Sequence, residues 1–147
     1  MIRFSLLLLL AAAPLAAQTP TAKPIPTELE VDHACRIVTQ NLRNPARPHL
    51  HYDSGICHLE SVLDSQHMAT TIRNGVTKRT LVEVREREYV LQNPYPQPIT
   101  FTVKQTVPKK FHIDSDPPPA ELANSIATFH VTAEPGQTVR LHVGESD

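Results

Sequence analysis

Three stretches in the C-terminal half alternate apolar and polar residues with a period of two, and that pattern commits the chain to strands. In 99–107, Ile99, Phe101, Val103 and Val107 share one side, while Thr100, Thr102, Lys104 and Thr106 take the other. In 127–133, Ala127, Phe129, Val131 and Ala133 alternate with Thr128, His130 and Thr132. In 138–143, Val139, Leu141 and Val143 alternate with Thr138, Arg140 and His142. Successive side chains of a strand point to opposite faces, so each stretch buries one face and hydrates the other. Sheets with one wet face are antiparallel. The 14 prolines and 4 glycines agree, because proline stiffens loops and interrupts helices.

Turn chemistry supports the same class. Glu134-Pro135-Gly136-Gln137 has Pro and Gly at the central positions of a type II turn. Asn74-Gly75 marks a tight hairpin between 67–73 and the run that starts at Val76. Ile56 to Leu63 reads as a further strand, with Cys57, Leu59, Ser61 and Leu63 on one side. Phe111 and Ile113 mark a short strand that stops at Asp116-Pro117-Pro118-Pro119. Between Val76 and Gln92, Val82 and Val84 share one parity and Tyr89 and Leu91 the other. A flat strand cannot bury both pairs on one face, so the pattern predicts a bulge or break within 85–88.

The segment before these strands is ambiguous. Thr27-Glu28-Leu29-Glu30 has capping-box spacing and is followed by Ala34, Ile37, Val38 and Leu42, which admits a short amphipathic helix over 28–43. The β-branched Ile37, Val38 and Thr39 support a strand around Cys35 to Thr39 instead. Residues 44–55 read as a loop. Six or seven strands in one domain predict an all-β fold, an antiparallel immunoglobulin-like β-sandwich, with or without that single N-terminal helix.

Residues 1–17 combine Arg3, an unbroken apolar run from Leu6 to Ala13 and the small pair Ala16-Ala17, the pattern of a cleavable signal peptide. The run is shorter than the roughly 20 residues a membrane span needs. The reading is therefore a secreted or periplasmic chain without a stable membrane span. Residues 18–26, with Pro20, Pro24 and Pro26, form a proline-rich tether, and 27–147 is a single domain. In an oxidising compartment the two cysteines, Cys35 and Cys57, are expected to form a disulfide. Closing a loop of that length is worth about 3 kcal/mol on a chain-entropy basis.

Little in the sequence points to chemistry. The formal charge of −1 becomes −2 once Arg3 leaves with the leader, so no basic excess suggests nucleic acid. There is no G-x-S-x-G motif, and the isolated glycines build no phosphate loop. His49-Leu50-His51 places two imidazoles on one side of an extended segment. With His58 they form a candidate zinc or copper site, weighed against solvent-exposed histidines. Asp114-Ser115-Asp116 lacks the glycine and later glutamate of a calcium loop. The alternating charges of Glu83, Arg85, Glu86, Arg87 and Glu88 read as a hydrated strand edge that discourages edge-to-edge aggregation.

One resemblance rests on particular residues. Leu81-Val82-Glu83-Val84-Arg85-Glu86-Arg87-Glu88-Tyr89, Gln92-Asn93-Pro94, Pro98-Ile99-Thr100-Phe101-Thr102-Val103, Val107-Pro108, Pro117-Pro118-Pro119 and Phe129-His130-Val131-Thr132 with Glu134-Pro135-Gly136-Gln137-Thr138 make up the pattern. Together, over 78–143, they are similar to the C-terminal β-domain of mucoidy-inhibitor-like exported bacterial proteins. That domain has no assigned function and brings no catalytic residues. Longer members carry an N-terminal domain and a coiled coil, which 18–77 does not match. These observations lead to an expectation of a non-enzymatic binding or structural module of the bacterial envelope. It has no cofactor and meets an envelope partner through a strand edge. The alternative is a metal-binding protein or metal-dependent enzyme built on His49, His51 and His58.

Overall fold

A computed structural model describes residues 25–147. The expected signal peptide and most of the expected tether lie outside the described residues. The described chain is all β, with ten strands: β1 (Glu28–Asp32), β2 (Arg36–Thr39), β3 (His49–Tyr52), β4 (Cys57–Arg73), β5 (Val76–Gln92), β6 (Ile99–Thr106), β7 (His112–Asp116), β8 (Glu121–Ala123), β9 (Ile126–Ala133) and β10 (Thr138–Ser146). They form a six-stranded sheet in the order β3-β2-β1-β6-β9-β8 and a four-stranded sheet in the order β4-β5-β10-β7. Every pairing is antiparallel except β1 with β6, which run parallel with Glu28 opposite Thr100.

The inner faces of the two sheets meet in one core. Val31, Ile37, Phe101, Val103 and Phe129 from the six-stranded sheet are buried, as are Tyr89, Leu91, Leu141 and Val143 from the four-stranded sheet. The alternation at 99–107, 127–133 and 138–143 faces inward as its period predicts, with Val131 and Val139 only partly covered. Thr102, on the outer side of β6, is buried as well. Its hydroxyl donates to Glu28 Oε1 at 2.6 Å and lies 3.1 Å from His130 Nδ1.

The helix admitted over 28–43 does not form. The segment is two strands joined by a tight turn that the Asp32 carboxylate holds together. Its Oδ1 accepts from Ala34 N at 3.0 Å and Arg36 N at 2.9 Å, and its Oδ2 accepts from Arg36 Nε at 2.7 Å. Cys35 sits at the corner with φ of 61°, a left-handed conformation that ends any helix. Glu28, Leu29 and Glu30 of the capping-box pattern instead begin the parallel ladder with β6. The expected loop over 44–55 also contains a strand, β3, held by β2.

Two turns and the disulfide stand as read. Asn74 and Gly75 both have positive φ, and the β4–β5 hairpin closes on them. Gly136 has φ of 73°, and Gln137 N donates to Glu134 O at 2.9 Å. The disulfide joins Cys35 to Cys57 with a Cα separation of 5.5 Å. It links the turn before β2 to the first residue of β4, and so the two sheets.

The irregularity expected at 85–88 lies elsewhere. β5 runs unbroken, and the extra residue is Glu60 on β4, between Leu59 opposite Tyr89 and Ser61 opposite Glu88. Below the bulge, Cys57 and Leu59 join the core side. Beyond it the parity flips, so Val62, Asp64 and Met68 continue that inner face while Leu63 turns outward. The conflicting parities of β5 are resolved because both its faces are used. Tyr89 and Leu91 point into the core, whereas Val82 and Val84 lie half-buried on the outer face.

Candidate binding surface

The β4–β5 hairpin is far longer than the sandwich needs. β10 covers the free side of β5 only as far as Ser146 opposite Val84, with Asp147 capping Glu83 through an N–H to Oδ1 bond of 2.7 Å. Past that point, residues 67–82 form a two-stranded arm closed by Asn74-Gly75. A lone ribbon in water gains little from hydrophobic burial. Its apolar side chains are accordingly exposed: Met68 by 57%, Ile72 by 73%, Val76 by 68% and Leu81 by 53%. Met68 and Leu81 are direct cross-strand neighbours, and Ile72 lies on their face, so the arm carries an apolar stripe continuous in parity with the core face.

Charge is sorted along this hairpin. The tip carries Arg73, Lys78 and Arg79, and no carboxylate occurs between Ser65 and Val82. The root carries Glu60, Asp64, Glu83, Glu86 and Glu88 against Arg85 and Arg87. Several of these are paired within the fold. Arg85 Nη2 donates to Glu83 Oε1 at 2.7 Å and its guanidinium lies 4.7 Å from the Phe111 ring centre. Arg140 bridges Glu60 and Glu88. Along β4 itself, Ser65 to Ile72 holds no charged residue, proline or glycine, and β4 is the outermost strand of its sheet.

A groove of about 310 Å³ opens on the outer face at the root of the arm. Gly144 makes its floor, opposite Glu86 on one side and Asp114 on the other, with Val82, Val84 and His142 around it. A Cβ at position 144 would lie 2.8 Å from the Asp114 carbonyl oxygen, so only glycine fits there. Asp114 and Asp116 belong to β7, in sheet register rather than in a loop.

Inside the sandwich, a chain of polar groups runs beneath the same root. The Tyr89 hydroxyl donates to Gln105 Oε1 and lies 3.2 Å from His33 O, and Gln105 Nε2 donates to Glu145 Oε1 at 2.7 Å. All three side chains are buried. Burial raises the Tyr89 phenol above its ordinary value, with Glu145 and Asp32 adding to the rise and Arg87 opposing it. At Asp32, burial alone would raise the carboxyl. The hydrogen bonds from Arg36 and Ala34 outweigh that and hold it below the usual carboxylate range. Both groups are hydrogen-bonded within the fold, which orders the interior around them.

The histidine trio is not brought together. His49 and His51 lie on β3, at the edge of the six-stranded sheet, and His58 lies on β4, in the other sheet. They border three separate surface hollows. Among the described residues, no group of three or more His, Cys, Asp or Glu is arranged to hold a metal ion. Nor is any helix among them long and apolar enough to cross a membrane. The hairpin closed by Asn74-Gly75 is legible in the sequence, but the length of its arm is not, because β4 reads there as two short strands, Ile56 to Leu63 and His67 to Ile72, where the structure has one from Cys57 to Arg73. Its signal was there in the uncharged run from Ser65 to Ile72, broken by neither proline nor glycine. No family model, curated protein or solved structure matches the chain.

Proposed function

We propose that this chain is a non-enzymatic, exported binding module of the bacterial envelope, an immunoglobulin-like sandwich that presents the β4–β5 arm to a protein partner. One observation carries the reading: an arm that holds Met68, Leu81, Ile72 and Val76 in water. Ordering residues 67–82 costs conformational entropy that a free ribbon does not recover through burial, so occupancy by a partner supplies what the fold leaves out. The buried disulfide fits an oxidising compartment, and the likeness of 78–143 to mucoidy-inhibitor-like proteins fits the envelope. The test is crosslinking in envelope extract with the wild type and a short-arm variant, in which Asn-Gly joins Ser65 directly to Val84. Reproducible adducts with the wild type that vanish with the short arm support the reading. Identical adduct patterns from the two proteins, or none from either, would remove it.

A further inference from the structure

We infer that the partner on the β4 edge is a second copy of this chain, paired arm to arm about a two-fold axis. This rests on the arm being the binding element, and three features of the arm select a copy of itself as the occupant. First, β4 offers an unpaired edge, and its run from Ser65 to Ile72 contains none of the charges or prolines that keep such edges apart. The other exposed edge of the arm, on β5, carries Lys78 and Arg79 and is guarded.

Second, the sorted charge is self-complementary in one orientation only. Side by side in parallel, two arms would set tip against tip, with Arg73, Lys78 and Arg79 of both copies crowded together. Antiparallel, each cationic tip lies beside the acidic root of the other copy, and the uncharged middles meet.

Third, the pleat permits a register that unites the apolar stripes. Two-fold antiparallel pairing keeps each face of the sheet in common, so a residue meets one of its own parity. Centred on Met68, the pairing sets Met68 against Met68 and aligns Leu81, Met68, Met68 and Leu81 across four strands on one face, because Met68 and Leu81 are already neighbours within each arm. On the other face it sets Arg73 opposite Leu63 of the second copy, whose own cross-strand neighbour is Glu86. Two ribbons that are weak alone become one four-stranded sheet, which is the step that makes such ribbons stable. The symmetry is closed, so assembly stops at two.

The position opposite itself provides the test. The full chain lacking the leader is weighed by light scattering across a concentration series, alone and with Met68→Lys or Met68→Glu. Wild type is expected at twice the chain mass. Each variant is expected at the single-chain mass, since like charges would face each other, and an equimolar mixture of the two is expected to return to twice the mass. Circular dichroism keeps the comparison clean, because Met68 is exposed and its replacement leaves the sandwich intact. A wild type that stays single at every concentration overturns the inference, as does a mixture that fails to pair. A single-chain wild type whose arm still crosslinks a different envelope protein would sink the self-pairing while leaving the binding arm in place.

Discussion

The side-chain amide of Asn93 donates to the carbonyl of Ala133 at 3.0 Å, tying the end of β5 in one sheet to the end of β9 in the other. The same group donates to Gln97 O at 2.8 Å, and its Oδ1 accepts from Tyr95 N at 2.9 Å. Its backbone N–H and carbonyl reach Gln137 and Gly136 in the β9–β10 turn. Asn93 is fully buried with every polar atom used. Replacing it with alanine strands two carbonyls and an amide, so Asn93→Ala is expected to cost about 2–4 kcal/mol. Urea midpoints at constant slope measure it, and a loss below about 0.5 kcal/mol would contradict this account of the Asn93-Pro94 motif.

Tyr89→Phe removes the hydroxyl that Gln105 relies on and is expected to cost about 1–2 kcal/mol at neutral pH. The phenol ionises less readily in the folded chain than in the unfolded one, because burial disfavours the charged form. Its contribution is therefore complete below the ordinary phenol value of 10.0 and is lost as pH rises past it. The stability gap between wild type and Tyr89→Phe is expected to narrow above that pH. A gap that stays constant through the alkaline range would show that Tyr89 is not the group responsible.

Asp32 gives the acid counterpart. Its folded carboxyl lies below its ordinary value of 3.8, so its contribution is present above that pH and fades as pH falls through the lower, folded value. Asp32→Asn is expected to be less stable than wild type near pH 6 and to converge with it on strong acidification. Denaturant midpoints measured at several pH values follow this directly, and curves that remain parallel would rule out the carboxylate as the source.

Reducing the Cys35–Cys57 bond is expected to lower stability by about 3 kcal/mol. Both sulfurs belong to residues only 3% exposed, so alkylation should require unfolding first. Intact mass should rise by two hydrogens on reduction. Two thiols that alkylate readily in the native protein would contradict the pairing.

Much of the architecture was legible where a strand buries a single face. β6, β9 and β10 each have one apolar side and one polar side, and the turns at Asn74-Gly75 and Pro135-Gly136 carry their conformations in their residue types. Of the first three strands, β2 was legible only as one of two alternatives, the strand around Cys35 to Thr39, and β1 and β3 were not legible. β1 owes its state to a parallel neighbour about seventy residues away, a tertiary contact that no local period encodes. Glu60 shows the same limit, since a bulge is defined by the partner strand and not by the residue that fills it. The candidate surface was hidden for a related reason. Val82 and Val84 looked like misplaced core, when parity reports only which face a side chain takes and not whether that face is covered.

The parallel ladder between β1 and β6 carries a consequence for how the molecule is assembled in time. A chain that emerges amino end first presents Glu28–Asp32 long before Ile99–Thr106 exists to receive it. Until then β2 and β3 have no sheet to extend, and closing so distant a contact is slow. Cys35 and Cys57 can meet much earlier, so oxidation gathers the waiting segment into a loop and shortens the search that remains. Thiol oxidation thereby acts as the clock for half of the larger sheet, β1 to β3, to dock.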